Sequence, residues 1–192
     1  MRSHFQTSTS ELDIARLRRG EAATQSVMFR QFEKAVYTLC VRMLGNAAAA
    51  LDAMQDSFVQ AFGNIETYRG GAPFGLWLRS IAVNRCLREL RDARLSLLIY
   101  EDAAHSLNEQ IAAEQSWPME LLGDVIDLEC ALAQINNRTR TVLWLHHVEG
   151  YQHNEIAELF GQSVSFSKSQ LARGLSQLRS LMSEPKQMSK AS

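Results

Sequence analysis

From Glu21 to Leu44 the apolar residues Val27, Met28, Phe32, Val36, Leu39, Cys40 and Met43 recur at steps of three and four. That is the spacing of one helix face, so it predicts an amphipathic helix over 21–44, stopped at Gly45-Asn46. A second stripe, Leu51, Met54, Phe58, Ala61 and Phe62, predicts a helix over 47–62 that Gly63-Asn64 closes. The run Tyr68-Arg69-Gly70-Gly71-Ala72-Pro73 is a loop, and Pro73 pre-sets the first turn of the next helix. That third helix is expected over 74–93, with Leu78, Ile81, Ala82, Cys86 and Leu90 on its apolar side. Residues 1–20 are polar and expected to be loosely ordered, with room for a short helix over 11–19.

Clean periodicity is lost over 97–122, which is acidic and carries the Ser116-Trp117-Pro118 break; a linker is expected there. Helical patterns resume over 124–134, 139–148, 152–160 and 164–182, with turns at Glu149-Gly150 and Gly161-Gln162-Ser163. The last residues are polar and expected to fray. The expected fold is all-α: two small helical domains, 21–96 and 123–183, joined by a flexible linker, with a polar N-terminal segment and a tail over 184–192. Hydrophobic residues make up 46% of the 192, enough for two packed cores, and only three prolines interrupt helix-favouring composition.

The net charge of −1 hides an asymmetry. Residues 1–98 carry net +4 and residues 99–192 net −5, and no Lys or Arg lies between Leu95 and Asn137. Basic residues gather at 79–94 and 168–190, so local binding of a polyanion fits an overall neutral chain. Cys40, Cys86 and Cys130 stand apart with no CxxC pair, which points to buried reduced thiols rather than zinc or disulfides. The N-terminal residues lack an apolar signal core and no apolar run is long enough to span a bilayer. A cytoplasmic location without membrane insertion is expected.

Helices joined by a tight glycine-containing turn match a helix-turn-helix, whose second helix enters the major groove. Ser163 is placed to cap that helix. Projected at about 100° per residue, Leu171, Leu175, Leu178 and Met182 form its core face, with Val164 nearby. Phe166, Ser169, Gln170, Arg173 and Gln177 lie outward. Gln170 suits an adenine edge, Arg173 a guanine edge or phosphate, Phe166 a thymine methyl, and Lys168 a phosphate. The same face equally suits a plain solvated surface. In the first domain Tyr68, Phe74 and Trp77 suit stacking on unpaired bases beside a basic helix, although Phe74 and Trp77 also suit a core. Asn84, Arg88 and Arg91 fall within about 60° of one another on that helix, flanked by Arg85 and Arg94. Asp52, Gln55, Asp56 and Gln60 make the polar side of the second helix. His146, His147 and His153 have no ligand spacing of a known metal motif. No catalytic residue, metal or cofactor is expected.

The segment Ala50-Leu51-Asp52-Ala53-Met54-Gln55-Asp56-Ser57-Phe58 resembles the polymerase-docking helix in region two of the extracytoplasmic-function sigma factors of bacterial RNA polymerase. Phe74-Gly75-Leu76-Trp77-Leu78-Arg79-Ser80-Ile81-Ala82-Val83-Asn84 resembles their promoter-melting helix. Val148–Glu158 and Ser163–Leu171 resemble the two helices of their region-four reading motif. The resemblance implies a non-enzymatic alternative sigma factor that directs promoter-specific initiation. It implies that Asp52, Gln55 and Asp56 dock on the coiled coil of the largest polymerase subunit, with the flap of the second-largest subunit as a further contact. It implies that the Tyr68–Phe74 loop captures a flipped minus-ten base while Asn84, Arg85, Arg88 and Arg91 hold the non-template strand. Region four, through Ser165, Phe166, Lys168, Ser169, Gln170 and Arg173, would read minus-thirty-five duplex. An anti-sigma factor is an implied partner. Gln170 replaces the family's usual Arg, Phe166-Ser167 inverts a small-then-apolar pair, and Gln152 replaces a capping Ser. The alternative is a stand-alone helix-turn-helix regulator that binds duplex DNA without polymerase.

Overall fold

The computed structural model describes residues 4–7, 9–100, 128 and 130–183, and divides the chain into two compact units at about residue 111. Every regular element among the described residues is helical. The first unit holds α1 (Glu11–Arg18), α2 (Ala22–Leu44), α3 (Ala47–Gly63) and α4 (Phe74–Tyr100), with 3-10 turns at His4–Gln6 and Ile65–Thr67. The second holds α5 (Asn137–His147), α6 (His153–Phe160) and α7 (Val164–Ser183), preceded by helical residues at 130–133.

Helices α2, α3 and α4 pack on one another around Phe32, Val36, Leu39, Met43, Phe58, Phe74, Leu78 and Val83, all buried. The buried face of α3 departs from its apolar stripe. Ala50, Ala53, Ser57 and Ala61 are all inside, whereas Leu51 is exposed and Phe62 half-buried. Small side chains can sit inside where helices pack, although they carry little hydrophobicity. Val27, expected in the α2 stripe, is also exposed.

The N-terminal segment is a correction to the expected loose order. Ser10 caps α1, its Oγ accepting from the Asp13 N–H at 3.1 Å, and Ile14 and Leu17 are buried. Phe5 is buried as well, because α4 has a glycine where the segment crosses it. A Cβ on Gly75 would collide with the Phe5 carbonyl and come within 2.7 Å of the Phe32 ring. Helix α4 also runs seven residues past the expected end at Ala93. Residues 97–100, expected to begin the linker, are therefore helical, while the rest of the expected linker, 101–122, and the tail from 184 lie outside the described residues.

In the second unit α5 and α7 cross at Gly174, where an added Cβ would meet Leu143 and Thr139 at 2.6 to 2.9 Å. Arg140 is buried in this unit, donating to the Leu132 carbonyl at 3.3 Å and to Asn137 Oδ1 at 2.7 Å. Burial pulls its guanidinium down to about 10. Those bonds tie the residues before α5 to the helix itself. Cys40 and Cys86 meet in the first core, where the neighbouring Cys40 thiol and then burial push Cys86 upward. Both are buried thiols, but Cys130 is exposed, contrary to expectation.

Candidate nucleic-acid interface

Helix α4 presents two unlike faces. Leu78, Ala82 and Cys86 are fully buried, and Asn84, Arg88 and Arg91 on the far side are exposed. At about 100° per residue, Trp77 projects within this outer stripe, and it is half-buried. An aromatic edge followed by a polar and cationic run thus lies along one helix, beginning at the Tyr68–Pro73 loop.

The loop is shaped from within. The Tyr68 hydroxyl donates to the Ala72 carbonyl at 2.6 Å, closing it, and Gly70 turns at φ +77°, which glycine adopts without steric cost. Tyr68, Phe74 and Trp77 form one aromatic group, their centroids 5.4 to 5.7 Å apart. The three are not equivalent. Phe74 is 1% exposed and also packs on Phe32 at 5.8 Å. Its ring has no free face for a base, so the stacking role expected of Phe74 is corrected to a supporting one. Tyr68 is largely buried, and Trp77 has the most accessible ring of the three.

Arg85 departs from its expected role in a different way. It donates from Nε to Asp56 Oδ2 at 2.8 Å and from Nη1 to Glu89 Oε2 at 2.9 Å, with its side chain only 19% exposed. Two residues expected to have separate partners, polymerase for Asp56 and DNA for Arg85, bind each other across α3 and α4. Asp52 and Gln55 remain exposed on α3, as does Val59, which is 72% exposed.

The second unit builds a helix-turn-helix. Gly161 ends α6 at φ +59°, the left-handed conformation that glycine supplies at helix ends, and the Gln162 N–H returns to the Ala157 carbonyl at 2.8 Å. The Gln152 N–H donates to Glu155 at 2.6 Å, so the start of α6 is capped without the usual serine. Ser163 Oγ accepts from the Phe166 N–H at 3.2 Å at the start of α7, where a cap was expected.

The most buried residues of α7 lie beside its apolar stripe, of which Leu171, Leu175 and Leu178 are half-buried. Ser167 and Gly174 are buried, while Val164 is exposed and Met182 is 54% exposed. The core direction is rotated toward the small residues, because α7 meets α5 at Gly174. Ser165, Lys168, Ser169 and Arg173 are consequently exposed together. Phe166 and Gln170 fall on the flank. Phe166 packs on Phe160 at 5.7 Å with the Arg138 guanidinium 4.4 Å over its ring. Gln170 Oε1 accepts from Thr139 Oγ1 at 2.6 Å. The base contacts expected of Phe166 and Gln170 are therefore replaced, in this structure, by contacts to α5 and α6.

Two family models match this chain, the sigma-70 region 2 model over residues 28–95 and a sigma-70 region 4 model over residues 126–178. Together they span well over half of it. The chain belongs to the sigma-70 family. Two relatives are named as extracytoplasmic-function sigma factors. SigW of Bacillus subtilis is 26% identical over 176 residues, covering 86% of this chain and 92% of that protein. SigE of Mycolicibacterium smegmatis is 28% identical over 161 residues, covering 82% of this chain and 61% of that protein. Among solved structures, the sigma factor RpoE in complex with the anti-sigma factor NepR from Bartonella quintana superposes with a TM-score of 0.59 at 16% identity, covering 82% of this chain and 95% of that one. The chain is an alternative sigma factor that directs promoter-specific transcription initiation. The stand-alone regulator alternative is not favoured, since a region-two match accompanies the helix-turn-helix.

Three of the sigma factor's five histidines do come together, which spacing alone did not indicate. His146 and His153 stack at 4.5 Å and 13°, and His147 meets His146 edge-on at 5.1 Å. Their Nδ1 atoms are engaged, His146 with the Tyr151 carbonyl at 3.0 Å and His153 with buried Ser167 at 2.9 Å. Among the described residues no three His, Cys, Asp or Glu side chains are grouped to hold a metal. His153 is held below the ordinary value of 6.5 by burial, then by His146 and Lys168. The unfolded chain therefore takes up this proton at a higher pH than the folded one. Stability from this site is full above the ordinary value of 6.5 and falls as the pH drops through it. Thermal midpoints measured from neutral to mildly acidic pH should decline in the native protein and decline less in His153→Gln. Equal declines would show that His153 is not responsible.

Proposed function

We propose that the sigma factor docks on core RNA polymerase through the outer face of α3, holds a melted promoter strand on the outer face of α4, and reads upstream duplex with α7. The observation that carries this reading is the single exposed stripe of Asn84, Arg88 and Arg91 that begins at half-buried Trp77, backed by a fully buried face. A cationic track with an aromatic platform binds a single strand with little demand on sequence. The closed Tyr68–Ala72 loop beside Trp77 supports capture of one unstacked base, whose unstacking cost a fitted pocket offsets. Arg85 then joins α3 to α4 rather than gripping the strand.

In region four, Ser165, Lys168, Ser169 and Arg173 form the surface that meets the minus-thirty-five groove, with Arg173 and Lys168 supplying phosphate or guanine contacts. Phe166 and Gln170 set the tilt of α7 against α5 and α6. The protein acts in the cytoplasm by binding and positioning, with no catalytic residues of its own; among the described residues no helix is long and apolar enough to cross a membrane. Its partners are core polymerase at the largest-subunit coiled coil and the flap, promoter DNA in duplex and single-stranded form, and an anti-sigma factor of the kind bound to the Bartonella RpoE.

Docking is tested at Asp52, which is exposed and, unlike Asp56, has no ion pair with Arg85. Asp52→Arg should weaken core polymerase binding about tenfold or more, since a reversed charge at an interface meets repulsion as well as a lost contact. Its helical content and thermal midpoint should stay native. Full affinity in a core polymerase pull-down would refute the docking face.

A further inference from the structure

The loop that precedes α4 is held from a part of the chain that lies before the region-two match, which begins at residue 28. Arg18, in the last turn of α1, donates from Nη2 to the Tyr68 carbonyl at 2.9 Å. Its Nε stands 3.7 Å from the Glu66 carboxylate. Helix α1 is itself anchored by buried Ile14 and Leu17. The loop is thus fixed at Tyr68 twice: its carbonyl is held by Arg18 from outside, and its hydroxyl closes on Ala72 from within. Arg69, Gly70, Gly71 and Ala72 are left exposed at the tip.

Two adjacent glycines make this tip costly to order, because glycine loses more conformational freedom than any other residue. A loop that must be ordered when DNA arrives subtracts that entropy from binding, whereas one held beforehand does not. A guanidinium suits the task. Its fork reaches the Tyr68 carbonyl and the Glu66 side together.

We propose that Arg18 is a positioning residue for promoter opening: it keeps the Tyr68–Ala72 loop in the shape that receives an unstacked minus-ten base. This rests on the base-capture reading, and it gives the N-terminal helix a part in strand recognition.

The test uses the full chain bound to core polymerase. The probe is a fluorescein-labelled single-stranded DNA selected from a random pool by that complex, together with the same DNA made abasic at each position in turn. For the native protein one abasic position should cost most, about tenfold, the range of a stacked base. Arg18→Met keeps the aliphatic stem and loses the donors. It should bind the intact DNA about tenfold more weakly and show little further loss on the DNA abasic at that position. Trypsin should cut after Arg69 faster in Arg18→Met, while affinity for core polymerase stays native. Arg18→Lys, with one N–H able to reach the carbonyl, should recover part of the binding.

A merely structural role would weaken intact and abasic DNA alike, and that result overturns the proposal, as does native binding by Arg18→Met. If the native complex were indifferent to every abasic position, base capture itself would fail and this inference with it. Loss of discrimination in Arg18→Met alone, with the native complex discriminating, supports both.

Discussion

Replacing Arg88 and Arg91 together by alanine should reduce promoter opening roughly a hundredfold while leaving the protein folded. Both side chains are exposed on the outer face of α4, and neither is part of the buried core. Arg91 bonds only weakly to its own helix, through the Leu87 carbonyl at 3.3 Å. Alanine is the better helix former, so the backbone should tolerate the change. The size of the loss comes from two missing charge-assisted contacts, together about 3 kcal/mol, which is about two decades in a binding constant. The salt dependence provides the sharper signature. Each neutralised phosphate on a single strand contributes about 0.7 to the slope of log K against log salt, so the double variant should show a slope shallower by about 1.4. An unchanged slope would mean that these arginines do not touch the strand, whatever happened to activity.

Gly75→Ala should lower the stability of the first unit by about 2 kcal/mol, within the range for overpacking a close contact. The substitution would ordinarily favour a helix by up to about 1 kcal/mol, so a loss here isolates the tertiary collision. The added Cβ has to displace the Phe5 backbone, which cannot rotate away as a side chain end would, as well as the Phe32 ring. The expected result is release of the segment around Phe5 and a lower thermal midpoint, read together with faster amide exchange at residues 5–7. A midpoint equal to or above the native one would show that the segment does not pack at Gly75.

The helices themselves were legible in the sequence because each carries at least one run of large apolar residues at helical spacing. The stripe Met28, Phe32, Val36, Leu39, Cys40, Met43 is buried throughout. So are Leu78, Ala82 and Cys86 opposite Asn84, Arg88 and Arg91, and that arrangement made the polar outer face of α4 readable in advance. What escaped has a common physical cause. Counting hydrophobicity finds large side chains, whereas small ones also occupy the inner faces of α3 and α7. Ala50, Ala53 and Ser57 on α3 and Ser167 on α7 are buried without being strongly apolar, and Gly174 lets Leu143 and Thr139 approach α7. The resulting rotation of α7 moved Phe166 and Gln170 from the groove-facing side to the flank.

The second class of omission is pairing between distant elements. Nothing in the spacing of Asp56 and Arg85, twenty-nine residues apart, indicates that they bond. Nor does Phe5, isolated in a polar segment, announce a site beside Gly75. Arg18 belongs to the same class, since its bond to Tyr68 spans fifty residues. Periodicity reports on one helix at a time and is silent about what that helix will meet.

Everything else depends on whether the protein lets core RNA polymerase start RNA chains at particular promoters. RNA synthesis in vitro by purified core polymerase, with and without the protein, on fragments of the genome that encodes it, reads this out when RNA 5′ ends are sequenced. A small set of discrete start sites should appear only with the protein, each preceded by a shared pair of upstream elements. Core polymerase left silent on every fragment, with the protein neither bound to it nor altering its products, would contradict a sigma role.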